Sequence, residues 1–519
     1  MKMRTPEILL TADKTVMINY RLTCLGGFVA CVPRKSLPVP FAKLMEKRLF
    51  LPAPTNENGE AELANLFLRK VETTLLESGF DVVVCDSAYL DKFNAKVYGI
   101  STIDPFGVGP ATSTMVGLSG GKEPFNKFYF EELIRKIRRE RPDSIIMVGG
   151  PGVWQFDVLD GKQEELGIDC IVEGEVEEIA QDLVKKALEG KVPKKVVGPP
   201  AAHMAGIRKP SLWGMVQIGR GCDRGCSFCD PGMRNFAWRP MEEVLKDARI
   251  NASSRYVGSI TLLAEDELRY GNKSGDWTPC GKIVDLIEEV KKLGKPVSPT
   301  HANISSVVSA PEVVREYARA VGLTSDNFSA FQVGLETGSP RLMKIYMKGK
   351  TLPYDPESWP EVAKKGFEVM VKNHIFPLAT LIAGLPEETG EDVQKTINLV
   401  KDLRRYPSLI MPLFFVPLGR LKENKGFLQK NSLADIYKDL YITCFEHTSY
   451  WGRKFTSWGG KSLPLIAQWV LHVGTMLAFD YFKALKERGN SSSIWWSFLK
   501  ENALFLISKL FSSQKLRVG

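Results

Sequence analysis

Twice along this chain, short apolar runs alternate with helical periodicity, and no other feature restricts its fold as strongly. Strands separated by helices pair in parallel and are covered by those helices. In the first block, Glu7–Leu10, Asp81–Val84, Val97–Ile100, Ser144–Val148 and Cys170–Val172 read as strands, with helical patterns over Leu63–Leu76 and Phe130–Arg139. This predicts an α/β, doubly wound, Rossmann-like sheet over residues 1–200. Such sheets bind ligands at the carboxyl ends of their strands, occupied here by Ser101-Thr102, Gly149-Gly150 and Glu173-Gly-Glu175. A tight turn alone would also account for the glycine pair.

The stretch Lys191–Pro210, with four prolines, reads as the crossing into a second domain. Six further strand-like runs follow, at Met215–Ile218, Ser259–Leu263, Val297–Ala302, Ala330–Leu335, Leu378–Ile382 and Leu409–Val416. Between them Ile283, Leu286, Ile287 and Val290 show amphipathic helical spacing. The expectation for residues 201–420 is a partial (β/α)6 barrel with its chemistry at the carboxyl-terminal mouth of the strands. Residues 421–519 read as helical, aromatic and basic. Leu463–Phe479 is apolar but shorter than a membrane span, and residues 481–519 carry a net charge of +5. An interfacial amphipathic helix and a helical cap on the barrel are both compatible with this pattern.

With 519 residues, 44% hydrophobic and 25% charged, the composition is globular and excludes disorder and a disulfide scaffold. Nine cysteines, three of them crowded together, and no apolar leader point to a reducing, cytoplasmic setting, and the basic, apolar tail would allow peripheral contact with the inner face of a membrane. A net charge of +9 is mild for this length. It permits anionic partners but is also what an ordinary solvated surface carries.

The crowded cysteines form Cys222-Asp-Arg-Gly-Cys226-Ser-Phe-Cys229, at the end of the first predicted barrel strand. Three thiolates on one short loop can bind three irons of a cubane cluster and leave the fourth open, whereas structural zinc sites supply four protein ligands. The next cysteine along the chain is Cys280. This CxxxCxxC spacing, with Phe228 in the penultimate place, resembles the signature of the radical S-adenosylmethionine (SAM) enzymes. The resemblance implies a [4Fe-4S] cluster on Cys222, Cys226 and Cys229 whose open iron chelates SAM. Reductive cleavage of SAM then yields a 5'-deoxyadenosyl radical that abstracts hydrogen, with the electron supplied by an external ferredoxin- or flavodoxin-type donor. Ala264-Glu265-Asp266 stands where the family binds the SAM amino group, although the usual glycines are missing, so either carboxylate could serve. Gly334-Leu-Glu336-Thr-Gly-Ser339 resembles the family's ribose and carboxylate contacts, and Leu381-Ile-Ala-Gly384-Leu-Pro-Glu387 its adenine-stacking motif. Each of these alone could be a turn followed by a helix cap.

Val148-Gly-Gly-Pro151 and Asp169–Glu175 resemble the cobalamin-binding domain that precedes the barrel in one branch of the family, which would make Thr102, Gly149 and Gly150 cofactor contacts. No histidine precedes His203 to ligate cobalt. Either cobalamin is held without a protein nitrogen ligand, or the fold is kept and the cofactor lost. The blocks Ile8–Asp13, Gly99–Pro105, Ala264–Tyr270 and Pro412–Gly419 further resemble an archaeal group containing the glycerol dialkyl glycerol tetraether (GDGT) ring synthases. That likeness implies a membrane tetraether lipid substrate and cyclopentane ring formation, in keeping with a basic, apolar tail and with no nucleic-acid partner. Ring closure removes two hydrogens, so one abstraction is insufficient and a second abstraction or an electron acceptor must complete the balance. Cobalamin-dependent C-methylation of an unactivated carbon is the nearest alternative, and a non-catalytic Fe–S lipid-binding or redox module is the alternative of another class. tRNA methylthiolation would call for a second three-cysteine cluster and an RNA-binding domain, and the sequence displays neither. Cys24, Cys31, Cys85, Cys170, Cys280 and Cys444 read as buried free thiols.

Overall fold

The computed structural model of the chain describes residues 3–18, 29–34, 46–47, 50–119, 123–427 and 434–458. The first block folds into a six-stranded, wholly parallel sheet: β1 (Ile8–Ala12), β2 (Val82–Val84), β3 (Val97–Ser101), β4 (Ile145–Gly149), β5 (Cys170–Gly174) and β6 (Lys195–Gly198), in the order β2-β1-β3-β4-β5-β6. Both faces are buried, so the strands read as continuous apolar runs. Ile8, Leu10, Val82 and Val84 pack on one face, Leu9 and Val83 on the other. The helices Leu66–Glu77 and Ala180–Leu188 cover the first face, and Phe125–Glu140 covers the second. β6 lies inside the proline-containing stretch expected to be only a crossing. Its half-polar Lys-Val-Val-Gly sequence fits an edge strand, which is why apolar content alone missed it.

The second block supplies β7 (Met215–Gln217), a short antiparallel hairpin of β8 (Gly219–Arg220) and β9 (Ala237–Trp238), and then β10 (Ile260–Leu263), β11 (Val297–Ser298), β12 (Ser329–Glu336), β13 (Ile375–Ala383) and β14 (Leu409–Phe414). Two parallel three-stranded sheets, β7-β10-β11 and β12-β13-β14, are joined by a parallel bridge between His301 and Gln332, giving the six-strand partial barrel. β11 is two residues long rather than six because the chain after Ser298 turns across to β12. Helices follow the strands with ordinary sequence logic. Pro311–Val321 buries Val313, Val314 and Tyr317, starts on proline and stops at Gly322 with φ 89°. Gly390–Asp402 starts with a Thr389–Asp392 capping box.

The open edge at β14 is covered twice. Helix Pro110–Ser119 of the first block reaches it, the Phe414 N–H donating to the Thr114 hydroxyl oxygen at 2.8 Å, and the long helix Ala434–Trp458 packs against both β14 and Gly390–Asp402. No helix among the described residues is long and apolar enough to cross a membrane. The apolar segment Leu463–Phe479 and the helix expected at Ile494–Phe511 lie outside the described residues, as does Cys24. Cys85, Cys170 and Cys444 are buried as expected, Cys31 is half-buried, and Cys280, expected to be buried, is exposed on the polar loop that precedes helix Lys282–Lys291.

Candidate functional site: a three-thiol cavity at the barrel mouth

β7 ends at Gln217, and the β8–β9 hairpin frames the eight-residue loop Cys222–Cys229. Both residues following Cys222 are clamped by buried ion pairs. Asp223 receives both arms of Arg269, at 2.7 and 2.9 Å. Arg224 is buried; it donates to Asp266 at 3.0 Å, to Ser306 at 2.7 Å, and to the carbonyls of Gly349 and Leu352 at 3.0 and 3.1 Å. Trp277 lies against both guanidinium groups. Gly349 has to be glycine, since a Cβ there would stand 1.8 Å from the Arg224 carbonyl oxygen. The loop is thus held by charge and backbone contacts from three other barrel segments before any cofactor binds.

Cys222, Cys226 and Cys229 border one cavity of about 320 Å³ together with Phe228, Glu265, Asp266 and Glu336. Burial pushes the Cys222 thiol up to about 11 and the Cys229 thiol up to about 12, so metal binding has to displace protons from them. Among the described residues, no group of three His, Cys, Asp or Glu side chains converges as a single-ion site. Three thiols along one cavity wall instead fit a multi-iron cluster, in which each sulfur meets its own iron.

The two adjacent carboxylates after β10 divide. Asp266 is buried and committed, Oδ1 accepting from the Asn303 N–H at 3.1 Å and Oδ2 from Arg224 and Ser306. Glu265 is exposed on the cavity wall. Glu336 sits at a bulge in β12 with φ 60° and pairs with Lys350 at 3.0 Å. Gly334 makes room, since a Cβ there would fall 1.9 Å from the Glu336 carboxylate. The Lys350 ammonium is held well above its usual range by Glu336 and by the neighbouring thiols. Half-buried His301 also borders the cavity; desolvation lowers its pKa from the ordinary histidine value, and its Nδ1 has no hydrogen-bond partner.

Two of the residues read from sequence lie elsewhere. Ser339 is fully buried, caps helix Pro340–Tyr346 and bonds Asp392 at 2.5 Å, joining the loops after β12 and β13. Gly384, φ 92°, packs under the Phe427 ring, and its N–H donates to Glu388. Arg224, His301 and Lys350 are additional site residues. Arg224 stands inside the thiol motif and Lys350 follows 14 residues after Glu336, whereas His301 lies in none of the motifs.

A second cavity, about 200 Å³, lies between the first sheet and helices Leu66–Glu77 and Ala180–Leu188 and opens at the carboxyl ends of β3 to β5. Gly149 and Gly150 line it, and Thr102 is buried beside them without bordering it. Gly150 has φ 105°, and a Cβ there would meet the Thr102 carbonyl at 2.6 Å. The Ser101 and Thr102 hydroxyls are buried without partners. Lys70, Gln217 and Arg220 reach its rim; burial lowers Lys70 to about 7, and its ammonium bonds Gln217. Arg220 bonds Glu175 and Glu177 at 2.5 and 2.7 Å, linking this sheet to the hairpin that carries the thiol loop.

Residues 216–400 match the model of the Radical SAM superfamily. This segment is a radical SAM domain. A radical SAM domain works with a [4Fe-4S] cluster and SAM, and the three-thiol cavity has the donor set for the cluster. The chain is similar to tRNA-2-methylthio-N(6)-dimethylallyladenosine synthase from Orientia tsutsugamushi (strain Ikeda), 24% identical over 38% of this chain and 42% of that protein. It is also similar to the enzyme of the same name from Bacillus subtilis (strain 168), 26% identical over 42% of this chain and 41% of that protein. The chain therefore spans about two fifths of the length of these two relatives. In fold it is similar to the radical SAM methyltransferase TsrM from Kitasatospora setae, solved with cobalamin and a [4Fe-4S] cluster bound, with a TM-score of 0.51, 14% identity, and coverage of 80% of this chain and 74% of that one.

Proposed function

We propose that this chain is a radical SAM enzyme that removes hydrogen from unactivated carbons of an isoprenoid tetraether lipid and joins those carbons into cyclopentane rings. The observation that carries this reading is the make-up of the barrel cavity. Three thiols and a charged cluster of Glu265, Glu336 and Lys350 share it with the hydrocarbon surface of Val333, Leu378, Ala379, Leu409 and Met411 on β12 to β14. A cluster with SAM, when bound, supplies a radical able to break a C–H bond that has no acidic proton.

The chain's own residues do the rest. Cys222, Cys226 and Cys229 hold the iron. Glu265, the carboxylate left uncommitted after β10, receives the SAM amino group, and Glu336, fixed by Lys350, its polar ribose. His301, whose pKa is lowered by desolvation, lines the same cavity. The apolar strand ends orient a saturated chain and keep water away from it.

C-methylation is the second reading, favoured by the sheet cavity and by the cobalamin-bearing protein of similar fold. Ser101, Gly149 and Gly150 would border a corrinoid at the open end of that cavity, with no histidine ahead of His203 to ligate cobalt. Anaerobic reconstitution with tetraether lipid, SAM and reductant, followed by mass spectrometry, tests both readings. Ring formation removes two hydrogens per event, whereas methylation adds a CH2 unit. Sulfur incorporation into tRNA with no lipid product would refute both and align the chain with its sequence relatives.

A further inference from the structure

Many surface lysines of the barrel are neutralised along their own helices: Lys246 by Glu243, Lys292 by Glu289, Lys364 by Glu361, Lys372 by Glu368 and Lys395 by Glu391. The outer side of the thiol loop differs. Ser227, between two of the cysteines, donates its backbone N–H to the Tyr346 carbonyl at 2.9 Å, and its carbonyl accepts from the Arg420 N–H at 2.8 Å. Gly419 closes on the same spot, so near that a Cβ would stand 2.8 Å from the Ser227 carbonyl oxygen. The two segments that grip the loop carry Lys344, Lys348, Arg420, Lys422 and Lys425, all exposed. Among the described residues none of the five forms an ion pair; the exposed carboxylates near them are Glu423 and Glu387, which lies against Tyr346, and the neighbouring Asp230 is already paired with Arg234 at 2.6 Å. Two exposed large apolar side chains stand with them, Ile345 next to Tyr346 at 42% exposure and Met233 just after the loop at 52%.

We infer that this face docks an acidic one-electron carrier protein, of the ferredoxin or flavodoxin class. The inference rests on the radical SAM reading of the thiol loop. Electron transfer weakens steeply with distance, and here the surface is formed by the segments hydrogen-bonded to the backbone between Cys226 and Cys229. Encounters of redox proteins are small and brief, so a few apolar contacts inside a ring of one charge suit them. Unpaired cations attract an acidic partner from solution and orient it as it arrives. In each transfer one electron leaves the carrier, which is oxidised by one equivalent, and the cluster is reduced by one; no proton or group moves. A membrane of anionic lipid offers the same sign of charge, but it would not require the patch to sit over the thiol backbone.

The test uses reconstituted full-length protein and the double variant K344E/K422E, whose side chains lie outside the cavity. Stopped-flow bleaching of the cluster absorbance is followed with reduced flavodoxin and, separately, with dithionite, and binding of oxidised flavodoxin is measured by fluorescence anisotropy. The variant should bind flavodoxin more weakly and be reduced by it about tenfold more slowly at low salt, with the dithionite rate within about twofold of wild type. The wild-type flavodoxin rate should fall as ionic strength rises, and K344Q/K422Q should lie between. Equal flavodoxin rates and affinities in wild type and K344E/K422E, or a rate independent of salt, overturn the inference. Loss of adhesion to vesicles of anionic lipid with flavodoxin reduction unchanged also overturns it and assigns the face to a membrane. Wild-type protein that takes up iron and sulfide without cluster absorbance overturns the radical SAM reading as well.

Discussion

Replacing Arg224 by methionine tests how the thiol loop is held. The two terminal guanidinium nitrogens donate to Asp266, Ser306 and the carbonyls of Gly349 and Leu352, and the side chain is 3% exposed. Methionine fills similar volume but leaves Asp266 as a buried carboxylate without its cation. Removing one partner of a buried ion pair costs about 3–5 kcal/mol. At about 2–4 °C per kcal/mol for a domain of this size, the cluster-free protein should melt about 6–20 °C lower. Adding Asp266→Asn removes the stranded charge, so the double variant should recover about a third to a half of the loss. Differential scanning calorimetry of the cluster-free proteins measures both effects, and iron content after reconstitution reports whether the loop still presents three thiols. A melting shift under about 2 °C with full iron uptake, or a double variant no more stable than R224M, would refute this account of the loop.

Cys226→Ala should abolish cluster absorbance and SAM cleavage together while the chain stays folded by circular dichroism; retained cleavage would remove Cys226 from the ligand set. Gly334→Ala should weaken SAM binding at least tenfold in equilibrium dialysis, because the added Cβ falls 1.9 Å from the Glu336 carboxylate and drives it off Lys350; unchanged affinity would place Glu336 outside the binding site. Glu267 is fully buried, accepts from Tyr317 at 2.6 Å, and burial pushes its carboxyl up to about 8. The folded chain therefore keeps a proton that the unfolded chain releases. This contribution to stability is complete below the ordinary carboxyl range and is lost as pH rises through 8. Between pH 5 and 9, Glu267→Gln should flatten the decline by the order of a few kcal/mol relative to wild type in urea titrations, and parallel curves would contradict this.

Much of this protein was written in local sequence. Three thiols within eight residues need only a loop to share a cavity wall, and strands buried on both faces show as apolar runs wherever they end up in a sheet. β6 and the two-residue β11 escaped because a half-polar edge strand and a short crossing strand carry little of that signal. The basic, aromatic end of the chain was legible as composition alone.

The division of labour among the polar residues was settled by the tertiary fold. Glu265 and Asp266 are neighbours of the same chemical type, and only Arg224, arriving from 42 positions earlier, takes one and leaves the other facing the cavity. Ser339 stood in a motif that reads as a cofactor contact, yet Asp392, 53 residues later, makes it a strut between two loops. Lys350 gained its place by pairing with Glu336 across a bulge in β12. Ligand type and strand period repeat over a few residues and are visible in one dimension. A buried charge, by contrast, takes its role from the partner that compensates it, and that partner is chosen by how distant segments pack.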